Sequence, residues 1–273
     1  MAPQRIVSVS TAPYDGYELA QALDSIAAVG APHADPAFLA AAAPAEDEAF
    51  DAARGRRVAR SLRDAGLQAH AVYADLDLGG PDAPMELQHR IDFAAAAGAR
   101  LLVVPAPMRV DQRRVLGHLQ DLGARGERPA VDVLLAPSLA AGPQALPDAA
   151  ALVARCALPW LGLSFSVLQA TVAQPGLSAA DQFDALHADC RHLQLADVRH
   201  ADGWFCVPPG QGSAGCGAVL RARSAPRLPV SLHLPLRLHR TRTGEIRRGP
   251  YRVPLADIES AVAAGLAFVS SIH

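Results

Sequence analysis

The sequence predicts an α/β fold, a closed (β/α)8 barrel, on three observations. Eight short runs rich in Val, Leu and Ile alternate with longer, alanine-rich amphipathic stretches, the pattern of parallel strands joined through helices. The 273 residues suffice for eight such units in a single domain spanning 1–273. The first strand-to-helix turn reads Ser10-Thr11-Ala12-Pro13-Tyr14, without the glycines that an open doubly wound sheet places there.

Taken in order, the first strand is Arg5–Ser10, followed by a helix over Tyr17–Val29. The second and poorest strand lies near Pro32–Asp35 and leads into a helix over Asp47–Ala65. Strand Gln68–Ala74 precedes helix Met85–Ala97, and strand Arg100–Pro105 precedes helix Val110–Gly123. Val131–Ala136 pairs in this way with Ala145–Arg155, and Leu161–Ser166 with Ala179–Asp189. His192–Ala196 leads only to a weak helical turn around Gly217–Arg223, and Val230–Leu234 leads to the last helix, Leu255–Ser271. Gly30, Gly66 and Gly98 each follow a helical pattern where a left-handed residue ends a helix.

Composition bounds the chemistry. All 25 basic residues are arginine, so chemistry that needs a lysine ammonium is excluded: a Schiff-base aldolase, a lysine-held PLP enzyme, a P-loop nucleotide site. Asparagine is absent too, which excludes N-glycosylation. Both absences fit the codon usage of a GC-rich genome. A net charge of −2 argues against nucleic acid as the main ligand. The richest basic stretch, Arg237–Arg252, contains Gly244 and Gly249 and reads as a loop. The N-terminus has the character of a strand and not of a leader, and no apolar stretch reaches membrane-spanning length without a charge or proline, so a cytoplasmic protein without membrane contact is expected. Cys156, Cys190, Cys206 and Cys216 lie far apart with no CxxC spacing, which suggests neither a zinc ribbon nor a disulfide framework.

In a barrel of this kind chemistry sits where strands end, so polar residues there carry the argument. The third strand ends among His70, Tyr73, Asp75 and Asp77, Arg109 follows the fourth, and Ser164, Ser166 and Gln169 mark the end of the sixth. Alternation places His192 and Gln194 on one face of the seventh strand, and Ser231 and His233 on one face of the eighth. Two histidines and a glutamine on neighbouring inward faces form the best chemical constellation in the chain. Gly210 and Gly212 permit a tight loop over the mouth.

The seventh strand, HLQLAD at 192–197, is followed by Pro209-Gly210-Gln211-Gly212, and RIDFAAAAGARLLVVPAP spans 90–107. LRDAGLQAHAVYADLDL before it, LPWLGLSFSVLQ after it and PVSLHLP near the C-terminus fit in the same order. Together these segments resemble the xylose isomerase-like TIM barrels, or sugar phosphate isomerases/epimerases, and most of all their hydroxypyruvate isomerase-like and 3-dehydroshikimate dehydratase-like branches. The resemblance implies a divalent metal held by four side chains at the ends of strands five to eight, usually Glu, Asp, His or Gln, and Glu. It implies isomerisation, epimerisation or dehydration of small polyhydroxy ketones or keto acids. In this chain the four positions fall at Ala136, Ser166, Gln194 and His233, the histidine that often follows the second of them at Gln169, and the strand-seven lysine at Ala196.

Mg²⁺ and Mn²⁺ are held mainly by anionic oxygens, and three carboxylates are replaced here. The expectation is therefore no metal or other cofactor, with proton transfer falling to His233 and His192. Gln194, Ser166, Gln169, Asp197, His70 and Arg109 are the candidate substrate-binding residues, although the family counterpart of Asp197 usually holds its loop. The expected partner is a small molecule at the C-terminal mouth; the oligomeric state is left open. The alternatives are a catalytically inactive family member that binds a ligand or a protein, and a metalloenzyme with an unusual site.

Overall fold

The computed structural model describes residues 5–39, 49–107, 112–124, 129–139, 142–222 and 227–272. Thirteen strands occur among them: β1 (Val7–Ser10), β2 (Ala34–Asp35), β3 (Ala37–Phe38), β4 (Ala71–Ala74), β5 (Leu101–Pro105), β6 (Asp132–Ala136), β7 (Leu161–Ser166), β8 (Cys190–Leu195), β9 (Asp197–His200), β10 (Trp204–Val207), β11 (Val230–Leu232), β12 (Leu238–Arg240) and β13 (Ile246–Arg248). The helices are α1 (Leu19–Ala28), α2 (Ala52–Asp64), α3 (Ala83–Ala96), α4 (Gln112–Ala124), α5 (Ala145–Cys156), α6 (Val167–Ala173), α7 (Ala179–Leu186), α8 (Cys216–Arg221) and α9 (Leu255–Ser271). No helix among the described residues is long and apolar enough to cross a membrane.

Nine segments form one parallel sheet in the order β2-β1-β11-β8-β7-β6-β5-β4-β3. Its two ends, β2 and β3, are separated only by Pro36, so a single interrupted strand closes the barrel: Ala34 and Asp35 pair with β1, Ala37 and Phe38 with β4. Proline has no N–H to give a ladder, which explains the break. The Pro36 carbonyl still accepts from Tyr73 N–H at 2.9 Å, and the Thr11 hydroxyl accepts from Ala37 N–H at 2.8 Å. The sequence therefore shows this strand as its poorest because it is broken, with each half serving a different neighbour.

Helix ends follow local chemistry. The Asp51 carboxylate accepts from Arg54 N–H at 2.7 Å to start α2, and the Ser178 hydroxyl accepts from Asp181 N–H at 3.0 Å to start α7. Gly30, Gly66 and Gly98 adopt φ of +80°, +72° and +83° just past α1, α2 and α3. Outward-facing strand residues such as Val104, Leu135, Leu163, Phe165 and Leu193 are buried beneath the helices, and Phe165 meets Phe183 of α7 edge-on at 5.3 Å.

Inside the barrel the wall is divided. Consecutive strands β3 to β6 present an apolar cluster that includes Ala71, Tyr73, Leu101, Val103, Leu134 and Ala136. The other half, β7, β8, β11, β1 and β2, carries buried Ser164, Ser166, His192, Gln194, Ser231, Ser8, Ser10 and Asp35. The period of two, which puts hydrophobic residues under the helices on every strand, delivers opposite polarity to the two halves of the interior.

A second, antiparallel sheet in the order β13-β12-β10-β9 stands beside the mouth. The Arg237–Arg252 stretch, read from sequence as a loop, supplies two of its strands. Arg248 forms a bidentate ion pair with buried Asp15, which follows the short helical turn Ala12–Tyr14, and Arg237 reaches the same carboxylate at 3.4 Å. Its arginines are thus partly spent internally, against a carboxylate more than 200 residues away that no local pattern reveals.

Candidate functional site at the barrel mouth

A cavity of about 120 Å³ opens at the C-terminal ends of the barrel strands. Ala136, Ser166, Gln194 and His233, the four positions nominated by the resemblance, all line it, together with Gln169, Tyr73 and Asp75.

Both candidate catalytic histidines are held through Nδ1 by a serine. Ser10 Oγ accepts from Ala12 N–H at 3.0 Å and stands 2.9 Å from His233 Nδ1. Ser164 Oγ accepts from Gln194 Nε2 at 2.9 Å and stands 2.8 Å from His192 Nδ1. Each hydroxyl has one proton beside the lone pair that accepts the N–H, so it is able to donate to the ring, and in that arrangement the imidazole carries its proton on Nε2. Burial pushes the pKa of His192 down to about 3, helped by His70 and His233, and that of His233 down to about 4. Both are neutral rings at pH 7. His233 lies on the cavity and stacks on Tyr73, centroids 4.6 Å apart. His192 is fully buried one layer below, its Nε2 without a hydrogen-bond partner.

The remaining candidates separate by place. Ser166 caps α6 by accepting from Gln169 N–H at 3.4 Å, which leaves its hydroxyl proton uncommitted, and Gln169 keeps a buried Oε1 without a partner. Asp197 is turned away from the cavity into its own loop, where its carboxylate accepts from Val198 N–H at 2.9 Å, Ala214 N–H at 2.6 Å and Gly210 N–H at 3.0 Å. A Cβ on Gly212 would lie 2.4 Å from the Val198 carbonyl oxygen, so this loop requires the glycine. His70 precedes β4 and lies away from the mouth; burial lowers its pKa and Asp35 opposes that shift. Arg109 lies outside the described residues.

Sequence reasoning passed over Ser10 and Asp35. Asp35 is fully buried, bound by the Ser8 hydroxyl and accepting from Ala71 N–H at 2.9 Å, with burial raising its pKa. Ser231 stands beside both Asp35 and Tyr73, without a hydrogen bond of normal geometry. The available signal was the alternation of polar residues in VSVS, LGLSFS, HLQL and VSLH on four adjacent strands.

Among the described residues no group of three or more His, Cys, Asp or Glu side chains is placed to hold a metal ion. The four family positions offer a methyl, a hydroxyl, an amide and an imidazole. Asp75 is the one described carboxylate on the cavity. Hard divalent ions take several oxygen ligands, carboxylates foremost, and this donor set does not fit one.

Residues 14–224 match the sequence pattern of the xylose isomerase-like TIM barrel family. No curated protein matches the chain significantly. Among solved structures it is similar to the probable 3-DHS dehydratase AsbF from Bacillus anthracis, with 12% identity and a TM-score of 0.68 over 98% of this chain and 100% of that one. It is also similar to a sugar phosphate isomerase/epimerase from Parabacteroides distasonis, with 11% identity and a TM-score of 0.67 over 98% and 94%. A xylose isomerase-like TIM barrel protein from Mycobacterium smegmatis in complex with magnesium matches at 12% identity and a TM-score of 0.66 over 97% of each chain. At such identities the likeness to these structures shows the fold, and the family rests on the match over most of the chain: this protein belongs to the xylose isomerase-like TIM barrel family.

Proposed function

We propose that the mouth binds a small hydroxylated carbonyl compound, a polyhydroxy ketone or keto acid, and that proton transfer there runs without a metal ion. The observation that carries this reading is the buried, neutral imidazole of His233 on the cavity, its Nδ1 2.9 Å from Ser10 Oγ; with Ser10 donating in that bond, Nε2–H is the ring donor left for the cavity. A neutral imidazole N–H polarises a carbonyl oxygen and stabilises the enediolate that forms when the neighbouring carbon loses a proton. Asp75, the carboxylate on the same cavity, is the base for that proton. The Ser166 hydroxyl and Gln169 Oε1 supply a donor and an acceptor for substrate hydroxyls. His192 supports the site from below through Ser164 and Gln194.

The test is solvent exchange: dihydroxyacetone or hydroxypyruvate is incubated with the protein in D2O containing excess chelator, and deuterium at the carbon next to the carbonyl is read by NMR. Exchange that survives chelator and is lost in His233→Gln and Asp75→Asn is expected. Exchange that appears only on adding Mg²⁺, Mn²⁺ or Zn²⁺ overturns the metal-free reading. Binding without exchange favours the second reading, a non-catalytic binding module. One observation favours that reading: Asp75 is the one carboxylate in the described lining, so a single group is left to act as base.

A further inference from the structure

We infer that Tyr73 is a positioning residue of the site: its ring, and not its hydroxyl, fixes the plane of the His233 imidazole and so the direction in which Nε2 meets a ligand. The inference rests on the proposed role of His233 and adds a residue that acts through it. Ser10 Oγ holds the imidazole at one atom, Nδ1, at 2.9 Å. One hydrogen bond at one ring atom is a pivot, about which the ring can still turn. Tyr73 supplies the second constraint, its ring centred 4.6 Å from that of His233 at an interplanar angle of 25°. In the closed sheet, β4 and β11 are separated by β1 and the interrupted strand β2–β3, so Tyr73 reaches His233 across the interior and covers one face of it. A carbonyl oxygen then meets the imidazole at its edge, in the ring plane, where Nε2 lies. The same tyrosine ring stands edge-on to His192, centroids 6.3 Å apart, so one side chain packs between the two imidazoles. Its hydroxyl serves neither of them. Although the residue borders the cavity, that oxygen is buried beside Ser231 without a hydrogen-bond partner of normal geometry. Removing such a hydroxyl breaks no bond, whereas removing the ring frees the imidazole to turn.

The experiment compares the unmodified protein, Tyr73→Phe and Tyr73→Leu by NMR of isotope-labelled histidine rings, with His233→Gln identifying the His233 signals, and by solvent exchange into dihydroxyacetone or hydroxypyruvate. A stacked aromatic ring shifts the carbon-bound protons of the imidazole upfield. That shift is expected in the unmodified protein and in Tyr73→Phe, and is lost in Tyr73→Leu. An aromatic stack changes the population of one orientation about two- to twelvefold. Tyr73→Leu should therefore lower kcat for exchange about tenfold while KM stays within about twofold, and Tyr73→Phe should recover the rate. A Tyr73→Phe rate as low as that of Tyr73→Leu assigns the role to the hydroxyl and overturns the inference. So does a Tyr73→Leu protein whose His233 signals and kcat match those of the unmodified chain. If Tyr73→Leu does not fold, the His233 signals of the unmodified protein decide, and ordinary histidine positions overturn the inference. If the unmodified protein exchanges neither compound, the proposed chemistry fails by itself, and the ring signals alone decide whether Tyr73 fixes His233.

Discussion

Acidification from pH 7.5 to 5 removes stability from this protein through two buried imidazoles. In the unfolded chain each titrates near its ordinary value of about 6.5, so at pH 5 each has taken up a proton. In the folded chain burial holds His192 at about 3 and His233 at about 4, so both stay neutral. The unfolded state therefore binds more protons, and stability that is fully present above about pH 6.5 is lost as the pH falls toward the folded values. Linkage gives a loss of about 2 kcal/mol at pH 5 for His192. His233 contributes up to about 2 kcal/mol, less because its ring opens to the cavity. His70, also lowered by burial, adds in the same direction. Asp35 works the other way, since its raised pKa lets acidification favour the folded form. A difference between variants isolates the histidine terms from both. Urea unfolding at pH 7.5 and 5.0 is compared for the unmodified protein, His192→Gln and His233→Gln. Removing His192 should shrink the pH-dependent loss by about 2 kcal/mol. A loss in His192→Gln equal to that of the unmodified protein would refute the neutral buried imidazole of His192, and an unchanged loss in His233→Gln would refute the neutral ring on which the proposed chemistry stands.

Three further outcomes follow from the same structure. Asp197→Ala strands three backbone N–H groups, two of them within 2.9 Å of the lost oxygens; it should cost about 3–5 kcal/mol in denaturant unfolding, whereas a loss under about 1 kcal/mol would deny the loop-holding role. Gly55→Ala places a Cβ 2.4 Å from the Phe93 carbonyl oxygen where α2 meets α3; the expected loss is about 1–3 kcal/mol from overpacking, despite alanine's better helix propensity, and a variant with a raised melting temperature contradicts it. Asp15→Asn weakens the bidentate hold on Arg248 and the contact to Arg237; amide exchange across 237–252 should quicken while β5 to β7 stay protected, and uniform protection would show that the ion pair does not anchor that arm.

The barrel was legible because its signal is local. Strand residues alternate over two and helix residues over 3.6, and the ends of β7 and α9 coincide with the runs seen in sequence, Leu161–Ser166 and Leu255–Ser271. The His233, Gln194 and Ser166 positions were legible for the same reason, because alternation assigns a face within one strand. The antiparallel sheet was hidden because arginines that read as solvated loop pair with Asp15, and because strand Leu238–Arg240 takes its partners from Trp204 and Phe205. Helix Val167–Ala173 was hidden in the run after β7, where Ser166 serves at once as strand end and helix cap.

By itself the sequence determined the fold class, the sequence of alternating units, the glycines that end the first three helices and the absence of lysine chemistry. Tertiary structure alone decided which polar residues share an environment. Whether a histidine is an acid, a base or a neutral donor depends on what its other nitrogen touches and how deeply it is buried. Here the touching groups are Ser10 for His233 and Ser164 for His192, contacts that join residues 223 and 28 positions apart. The same holds for Asp197, whose carboxylate is a candidate ligand in sequence and a loop anchor in space, because the Gly210 and Ala214 N–H groups join that of Val198 on it only when residues 210–214 fold back over β9.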